Sequence, residues 1–383
     1  MKRTEIADGY DNEFYNQPEA PKALQILEAL EQAGVTHMVA LADNWTVRLH
    51  ELIASGKSSI KLVHTCREGE NVPIAAGLLT AGKKPVLMMQ NSGFHESLDS
   101  VRFGIEFGLP LVTLIGYRGW GNGSPNIRGR FTEPTLRAWD IPYEILDDAK
   151  KISAIGRALE LAERRQGPTA LLFPGIGGRP ATKDENSSAI LAKQARMDYL
   201  ESLRCLASHR TDQLVITHET ADRVWPLISK QEELDVVGLG LMSKAGSLGL
   251  GIAMAHPDRK VWVLDGDGSL AMNLGCLATE ADVRPRNLVH FVIQNFEYEI
   301  TAKQAFPMAD GIDFAAIARA CGIPRAFTFD DIGELKRGLP EVLSGDDLTF
   351  VSLKVKPAGK QAGPHRQLMP EGLKYLRTLL AGT

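Results

Sequence analysis

Cysteine is scarce and scattered, with four in 383 residues at Cys66, Cys205, Cys276 and Cys321 and no CxxC or CxxH pairing. That spacing argues against a disulfide scaffold or a clustered zinc site and fits a reducing compartment. No run of 18 apolar residues occurs, so no stretch reads as a membrane-spanning helix. Residues 1–20 are polar and acidic and lack the apolar core of a signal peptide, so a cytoplasmic location is expected. Charge of one sign is lacking as well: a net charge of −4 leaves no basic face for nucleic acid. Neither a GxGxxG fingerprint nor a Walker loop is present, which disfavours a plain nucleotide binder. What remains is an ordinary globular mixture, 44% hydrophobic and 23% charged, long enough for two domains.

The most informative stretch is Leu264-Asp265-Gly266-Asp267-Gly268-Ser269. It follows the apolar run Val261–Leu264, which fits a buried strand, and its Gly-Asp-Gly turn lets backbone amides approach an anion. A second apolar run, Leu288–Ile293, ends in Gln294-Asn295. Asp267 and Asn295 can then lie side by side at the ends of two parallel strands, where hard oxygen ligands suit Mg²⁺ on a diphosphate.

Upstream, Pro21–Ala33 has the spacing of an amphipathic helix closed by Gly34, and Val35–Ala42 reads as a strand ending at Asp43. Asp43 stands either where an open α/β sheet places ligand-binding residues or as the cap of a helix over Trp45–Ser55. Strands are expected at Lys61–His64, Lys84–Met89 and Leu111–Gly116, and helices at Ser97–Gly108, Thr132–Trp139, Ala149–Arg165 and Gly246–Ala255. Arg118, Arg128 and Arg130 fall in or near the loop after Gly116, and arginine forks suit acidic oxygens. The stretch Gly175–Ser188 has a linker composition, and a terminal helix is expected at Pro370–Leu380.

Gly266-Asp267-Gly268 with Asn295 following 28 residues after Asp267 resembles the thiamine diphosphate signature. The string Met89-Gln90-Asn91-Ser92-Gly93 resembles a recurrent phrase of the sulfopyruvate and phosphonopyruvate decarboxylases, and the similarity runs over most of the chain. The resemblance implies two doubly wound α/β domains with parallel sheets and no middle domain, as though two subunits of a sulfopyruvate decarboxylase were joined. It places a pyrimidine-binding domain at 1–177, a linker at 178–195 and a diphosphate-binding domain at 196–383.

The same resemblance implies thiamine diphosphate and Mg²⁺ as cofactors and the conversion of a 2-oxoacid with an acidic 3-substituent to an aldehyde and CO₂. Glu68, nine residues before Gly77, would contact the aminopyrimidine ring, with Glu70 as the competing position. Gly240, Met242, Ser243, Gly266, Asp267, Gly268, Ser269, Asn295 and Tyr298 would bind the cofactor, Met242 propping it in its bent form. Asp267, Asn295 and the main-chain carbonyl of Glu297 would hold the metal. Gln90, Asn91, Ser92 and Arg118 would meet the substrate, and Asp43 or His95 would supply a proton. A homodimer or homotetramer with active sites at the subunit interface is implied too.

The chain departs from the family pattern in two places. Phe94-His95-Glu96 stands where a glycine and an asparagine are usual, which leaves open a different 2-oxoacid, or a carboligase, and makes His95 either a pocket residue or a helix cap. Phe296 and Glu297 replace small residues and Ala302 replaces a glycine, which keeps a cofactor-binding protein without turnover as an alternative. The Glu297 side chain is expected to point away from the diphosphate.

Overall fold

The protein is described by a computed structural model over residues 4–5, 19–41, 43–56, 58–120, 127–175, 195–238, 242–301, 303–363, 366–367 and 378. It divides into two compact units, residues 9–184 and residues 185–383 together with 1–8. The first contains strands β1 (His37–Ala40), β2 (Lys61–His64), β3 (Pro85–Gln90), β4 (Val112–Gly116), β5 (Tyr143–Ile145) and β6 (Thr169–Phe173). They form one parallel sheet in the order β2-β1-β3-β4-β6-β5. The second contains β7 (Leu214–Thr217), β8 (Asp235–Val236), β9 (Val261–Gly266), β10 (Leu288–Gln294), β11 (Arg325–Phe329) and β12 (Thr349–Lys354). Their order is β8-β7-β9-β10-β12-β11, again wholly parallel. Adding six to each strand of the first sheet gives the second, so the topology repeats where the sequence does not. A two-residue antiparallel ribbon, Thr4–Glu5 with Arg366–Gln367, stands outside both sheets.

Parallel sheets need cover on both faces, and the apolar runs supply it. In β3, Val86 and Met88 join one buried cluster while Leu87 and Met89 join another. In β9, Val261 and Val263 face one cluster, and Trp262 and Leu264 the other. Each such side chain contributes roughly 1.5–3 kcal/mol when fully removed from water. The small-residue helix Ala245–Ala255 packs closely on β9 because Gly249 leaves no Cβ to meet the Val263 side chain. Among the described residues no helix is long and apolar enough to cross a membrane.

Both strand orders change direction inside the sheet, between β1 and β3 and between β7 and β9. Ligands of open α/β sheets bind outside the carboxyl ends of the strands at such a point. In the first unit Asp43 follows the end of β1 and Gln90 is the last residue of β3; in the second, His218 and Glu219 follow β7 and Asp267 follows β9.

Several expected boundaries move. Pro21 precedes the first helix, which starts at Ala23 after an N-cap at Lys22. The helix expected from Thr132 begins at Ile127, so Arg128, Gly129 and Arg130 lie in its first turn and not in a loop. Gly129 permits this, because a Cβ there would collide with the Gly119 carbonyl. After β9 the chain forms two short helices, Asp267–Ala271 and Gly275–Val283. Helix Ile332–Ser344 is absent from the sequence expectations. Asp331 caps it by accepting from the amides of Gly333 and Glu334, and Leu335, Leu339 and Val342 are buried, while Pro340 inside it hides the pattern. The expected linker 178–195 lies outside the described residues except for Ala195, and the terminal helix does so except for Thr378.

Candidate active site

In the first unit the chain leaves β2 through Cys66-Arg67 and forms a single tight turn, Glu68–Glu70, before helix Asn71–Thr80. Of the two candidate glutamates, Glu70 is exposed and Glu68 is 3% exposed. Glu68 lies on Gly93, where a Cβ would overlap its side chain. Its Oε2 is buried and has no hydrogen-bond partner. Burial pushes the carboxyl up to about 7, with the charges of Glu96 and Asp43 adding to the rise against a backbone hydrogen bond and Arg67. A carboxyl that holds a proton at neutral pH and keeps one oxygen unpartnered suits a ring nitrogen. Replacing its seat, Gly93→Ala, is expected to displace Glu68 and lower turnover by about tenfold or more while the fold survives, since misplacement of a reacting group by about 1 Å has costs of that order. Steady-state kinetics with circular dichroism of the same variant checks this.

Asp43 is buried, and its oxygens accept from the Thr46 amide at 3.2 Å and the Thr46 hydroxyl at 2.7 Å, as well as from the Trp45 amide. It therefore closes the turn before helix Val47–Ala54, whose N-cap is Thr46 and not Asp43 as the capping alternative expected, and burial raises its carboxyl to about 6. Asn91 is a strut: its Nδ2 donates to the Arg118 carbonyl and to Thr132 Oγ1, both at 2.9 Å, joining the ends of β3 and β4 to helix Ile127–Ala138. Ser92 Oγ donates to Gln90 Oε1 at 2.8 Å. The Arg118 guanidinium lies 5.4 Å over the Trp45 ring, a cation–π position that orients its fork.

His95 does not cap the next helix, whose N-cap is Ser97; it lies in the last turn of helix Asn91–Glu96. Its half-buried ring is disfavoured from charging by burial, is hydrogen-bonded to the Arg128 backbone, and leaves Nε2 without a partner.

In the second unit the Gly-Asp-Gly stretch opens helix Asp267–Ala271, with Gly266 extended at φ −89°. Neither Gly266 nor Gly268 has a positive φ, so no left-handed turn requires a glycine there. Gly268 is required by contact, because its Cβ would stand 2.6 Å from the Tyr298 ring. Asp267 Oδ2 accepts from the Phe296 amide at 2.7 Å and Oδ1 from the Gly268 amide at 2.8 Å, which ties the ends of β9 and β10 together. Phe296 reaches it with φ +68°, a strained value for an aromatic residue.

Burial raises the Asp267 carboxyl to about 8, and Glu297 adds to the rise. Glu297 is itself buried, so its charge is felt at Asp267 and is not turned out to solvent. Asn295 Oδ1 accepts from the Glu297 amide at 3.3 Å while its Nδ2 donates to Glu299 at 2.8 Å. Ser269 Oγ accepts from the Ser243 amide at 3.2 Å, and Met242 is half-buried beside it in sequence. Gly240 and Ala302 lie outside the described residues. Among the described residues no three His, Cys, Asp or Glu side chains converge as a metal centre. A site at Asp267 and Asn295 would therefore be of mixed oxygen donors, one carboxylate, one amide and a main-chain carbonyl, which is a donor set for Mg²⁺.

Sequence reasoning missed a buried chain of alternating charge under this loop. His218 Nε2 lies 3.3 Å from Glu219, and its Nδ1 lies 3.3 Å from Asp265 and 3.0 Å from Ser269 Oγ. Asp265 is shared with His290, whose Nε2 is 3.8 Å away, too far for a hydrogen bond, so attraction of charge joins them. His290 Nδ1 meets Glu280 at 3.0 Å. Burial opposes charging either histidine, but the carboxylates outweigh it and hold both at about 10: Glu219 and Asp265 for His218, Glu280 and Asp265 for His290. Burial opposes charge on Asp265 too, and the two histidines win, keeping it far below the usual carboxylate range. Glu280 also faces the first turn of helix Ala245–Ala255, since a Cβ on Gly246 would meet its Oε1 at 2.6 Å. The available signal was His290 itself, a polar residue inside an apolar strand that demands partners.

The domain family described as "Thiamine pyrophosphate enzyme, C-terminal TPP binding domain" matches residues 217–353. Phosphonopyruvate decarboxylase of Streptomyces viridochromogenes is 26% identical over 358 residues, 88% of each chain. Sulfopyruvate decarboxylase of Methanosarcina acetivorans is 24% identical over 369 residues, 91% of this chain and 94% of that one. The β subunit of sulfopyruvate decarboxylase of Methanocaldococcus jannaschii is 32% identical over 146 residues, 38% of this chain and 76% of that one. The chain belongs to the thiamine diphosphate-dependent decarboxylase family, alongside the phosphonopyruvate and sulfopyruvate decarboxylases.

Proposed function

We propose that the protein uses thiamine diphosphate and Mg²⁺ to decarboxylate a 2-oxoacid carrying a phosphonate or sulfonate at its third carbon, giving the aldehyde and CO₂. The observation that carries this reading is Glu68, a buried carboxyl that keeps its proton near neutral pH and has one oxygen without a partner. When bound, thiamine diphosphate supplies an electron sink for the pair released with CO₂, which no side chain offers. Glu68 holds a proton at its carboxyl for exchange with the aminopyrimidine ring. Asp267, Asn295 and the Glu297 carbonyl would hold Mg²⁺, and a cation there would relieve the repulsion between the Asp267 and Glu297 carboxylates. Arg118, oriented over Trp45, offers a fork to the acidic end of the substrate, with Gln90 and Ser92 beside it at the end of β3. His95, with its Nε2 unpartnered and free to accept, is the candidate to take up a proton from water and pass it to the carbon that has lost CO₂, because both Asp43 oxygens are engaged in their turn. The same reading includes a homodimer or homotetramer as the working form and a cytoplasmic location.

The test is a proton NMR time course with both cofactors and, in separate tubes, phosphonopyruvate, sulfopyruvate and pyruvate. An aldehyde is expected from one of the two acidic substrates, with none after the metal is removed by a chelator. Acyloin from aldehyde mixtures without net decarboxylation would replace the reading by a carboligase. No product from any substrate by protein with bound cofactor would overturn it.

A further inference from the structure

We propose that Glu96 is a positioning residue for Glu68, and that the Arg67–Glu96 pair sets how tightly Glu68 keeps its proton. The inference rests on the reading of Glu68 given above. Glu96 belongs to the Phe94-His95-Glu96 segment, where the chain departs from the pattern of the decarboxylases it resembles.

The geometry has three parts. Helix Asn91–Glu96 supplies the seat of Glu68 at Gly93 and, one turn later, Glu96. Glu96 Oε1 accepts from Arg67 Nε at 2.6 Å and is paired with a second nitrogen of the same guanidinium, so the residue just before Glu68 is gripped in a fork. Ser100 Oγ donates to the Gly69 carbonyl at 2.8 Å, which fixes the residue just after it. The turn carrying Glu68 is thus held on one side by the helix that also forms its floor and on the other by the next helix, Leu98–Glu106. Glu96 Oε2 is buried without a hydrogen-bond partner, so its charge is little dispersed by neighbours.

Among the described residues the charges around Glu68 are few. Arg67 and Glu70 share its own turn, Glu96 and His95, whose charging burial disfavours, come from helix Asn91–Glu96, and Asp43 comes from the loop after β1. Helix Asn71–Thr80 has no ionisable side chain, and on helix Leu98–Glu106 Asp99 and Glu106 are both paired with Arg102 at its exposed side. Glu96 and Asp43 favour the protonated form of Glu68, and Arg67 opposes them. Removing Glu96 therefore acts twice: one carboxylate is lost and Arg67 is left uncompensated.

The experiment is calorimetric titration of the metal-loaded protein with thiamine diphosphate from pH 5.5 to 9, for the parent, Glu96→Gln, Arg67→Gln and Glu68→Gln. Titration of the cofactor itself is common to all four, so differences between variants are read. Affinity of the parent is expected to fall as Glu68 loses its proton. In Glu96→Gln that fall is expected to begin on the order of one pH unit lower, the effect of a charge change within about 4–6 Å. In Arg67→Gln it is expected to move up. A merely structural role would lower affinity at every pH without moving the midpoint, and that result would overturn the proposal. So would midpoints of Glu96→Gln and Arg67→Gln that coincide with the parent's while Glu68→Gln abolishes the transition. A transition unchanged in Glu68→Gln would overturn the assignment of Glu68 itself, and the inference with it.

Discussion

Glu68→Gln is expected to lower turnover by roughly 10²–10⁴-fold, the range that a positioned acid–base group contributes, and at the same time to make the protein more stable at alkaline pH. The amide has the shape of the carboxyl and can occupy the same seat on Gly93, so the loss isolates the proton and not the packing. Stability follows from linkage. The folded-state pKa of Glu68 is raised from 4.5 to about 7, chiefly by burial. A raised acid favours the folded state fully only below its unfolded pKa and costs stability progressively as pH climbs through its folded pKa. Above pH 8 that cost approaches about 3 kcal/mol, from 1.36 kcal/mol per pH unit. Glutamine carries no charge and escapes it. The mutant should therefore unfold at a higher denaturant concentration than the parent at pH 8 and at nearly the same one at pH 5. CO₂ release assays beside unfolding curves at the two pH values measure both halves. Activity within a few-fold of the parent would sink the role of Glu68, and a stability difference independent of pH would show that its carboxyl is ionised throughout.

Much of this site was legible in the sequence because its elements are strongly written. β3 and β9 are continuous apolar runs ended by polar or glycine residues, and parallel strands of that kind place their next residues at the ligand-binding edge. Glu68 over Glu70 was legible only through spacing to Gly77, whereas the structure separates them by burial. What the sequence hid depends on contacts between distant residues. Gly268 reads as a turn glycine until the Tyr298 ring is seen against it, 30 residues on. Gly129 reads as loop until the Gly119 carbonyl occupies the space of its missing Cβ. Asp43 looks catalytic or capping with equal ease, and only its hydrogen bonds to Thr46 show where its oxygens go. Glu96 was visible as a broken pattern, but its partner Arg67 lies 29 residues earlier and no local rule pairs them.

The largest expected loss of stability comes from Asp265→Asn. Asp265 is the shared counter-ion of two buried histidines, with His218 at 3.3 Å on one oxygen and His290 at 3.8 Å from the other. Asparagine preserves shape but removes the charge, leaving two imidazolium groups with only the outer carboxylates Glu219 and Glu280. Breaking a buried ionic set by removing one partner costs about 3–5 kcal/mol. The sign of the pH dependence tests whether charge is the cause. The folded-state pKa values of His218 and His290 are raised from 6.5 to about 10, so their contribution is complete below about pH 6.5 and is lost as pH rises through 10. In Asp265→Asn the histidines are held less strongly and shed their protons earlier, so the gap between mutant and parent should be wide at pH 6 and should narrow by pH 10. Denaturant unfolding of both proteins at the two pH values measures it. A gap of equal width at both would mean that the histidines are neutral in the folded protein and that hydrogen bonds alone hold the chain. Since Asp265 stands two residues before Asp267 and Ser269 shares His218 with it, the same substitution should also loosen the loop proposed to hold the diphosphate. Weaker cofactor binding, restored in part at low temperature, where the unfolding penalty is smaller, is the accompanying result expected if the charged chain serves as the foundation of that loop.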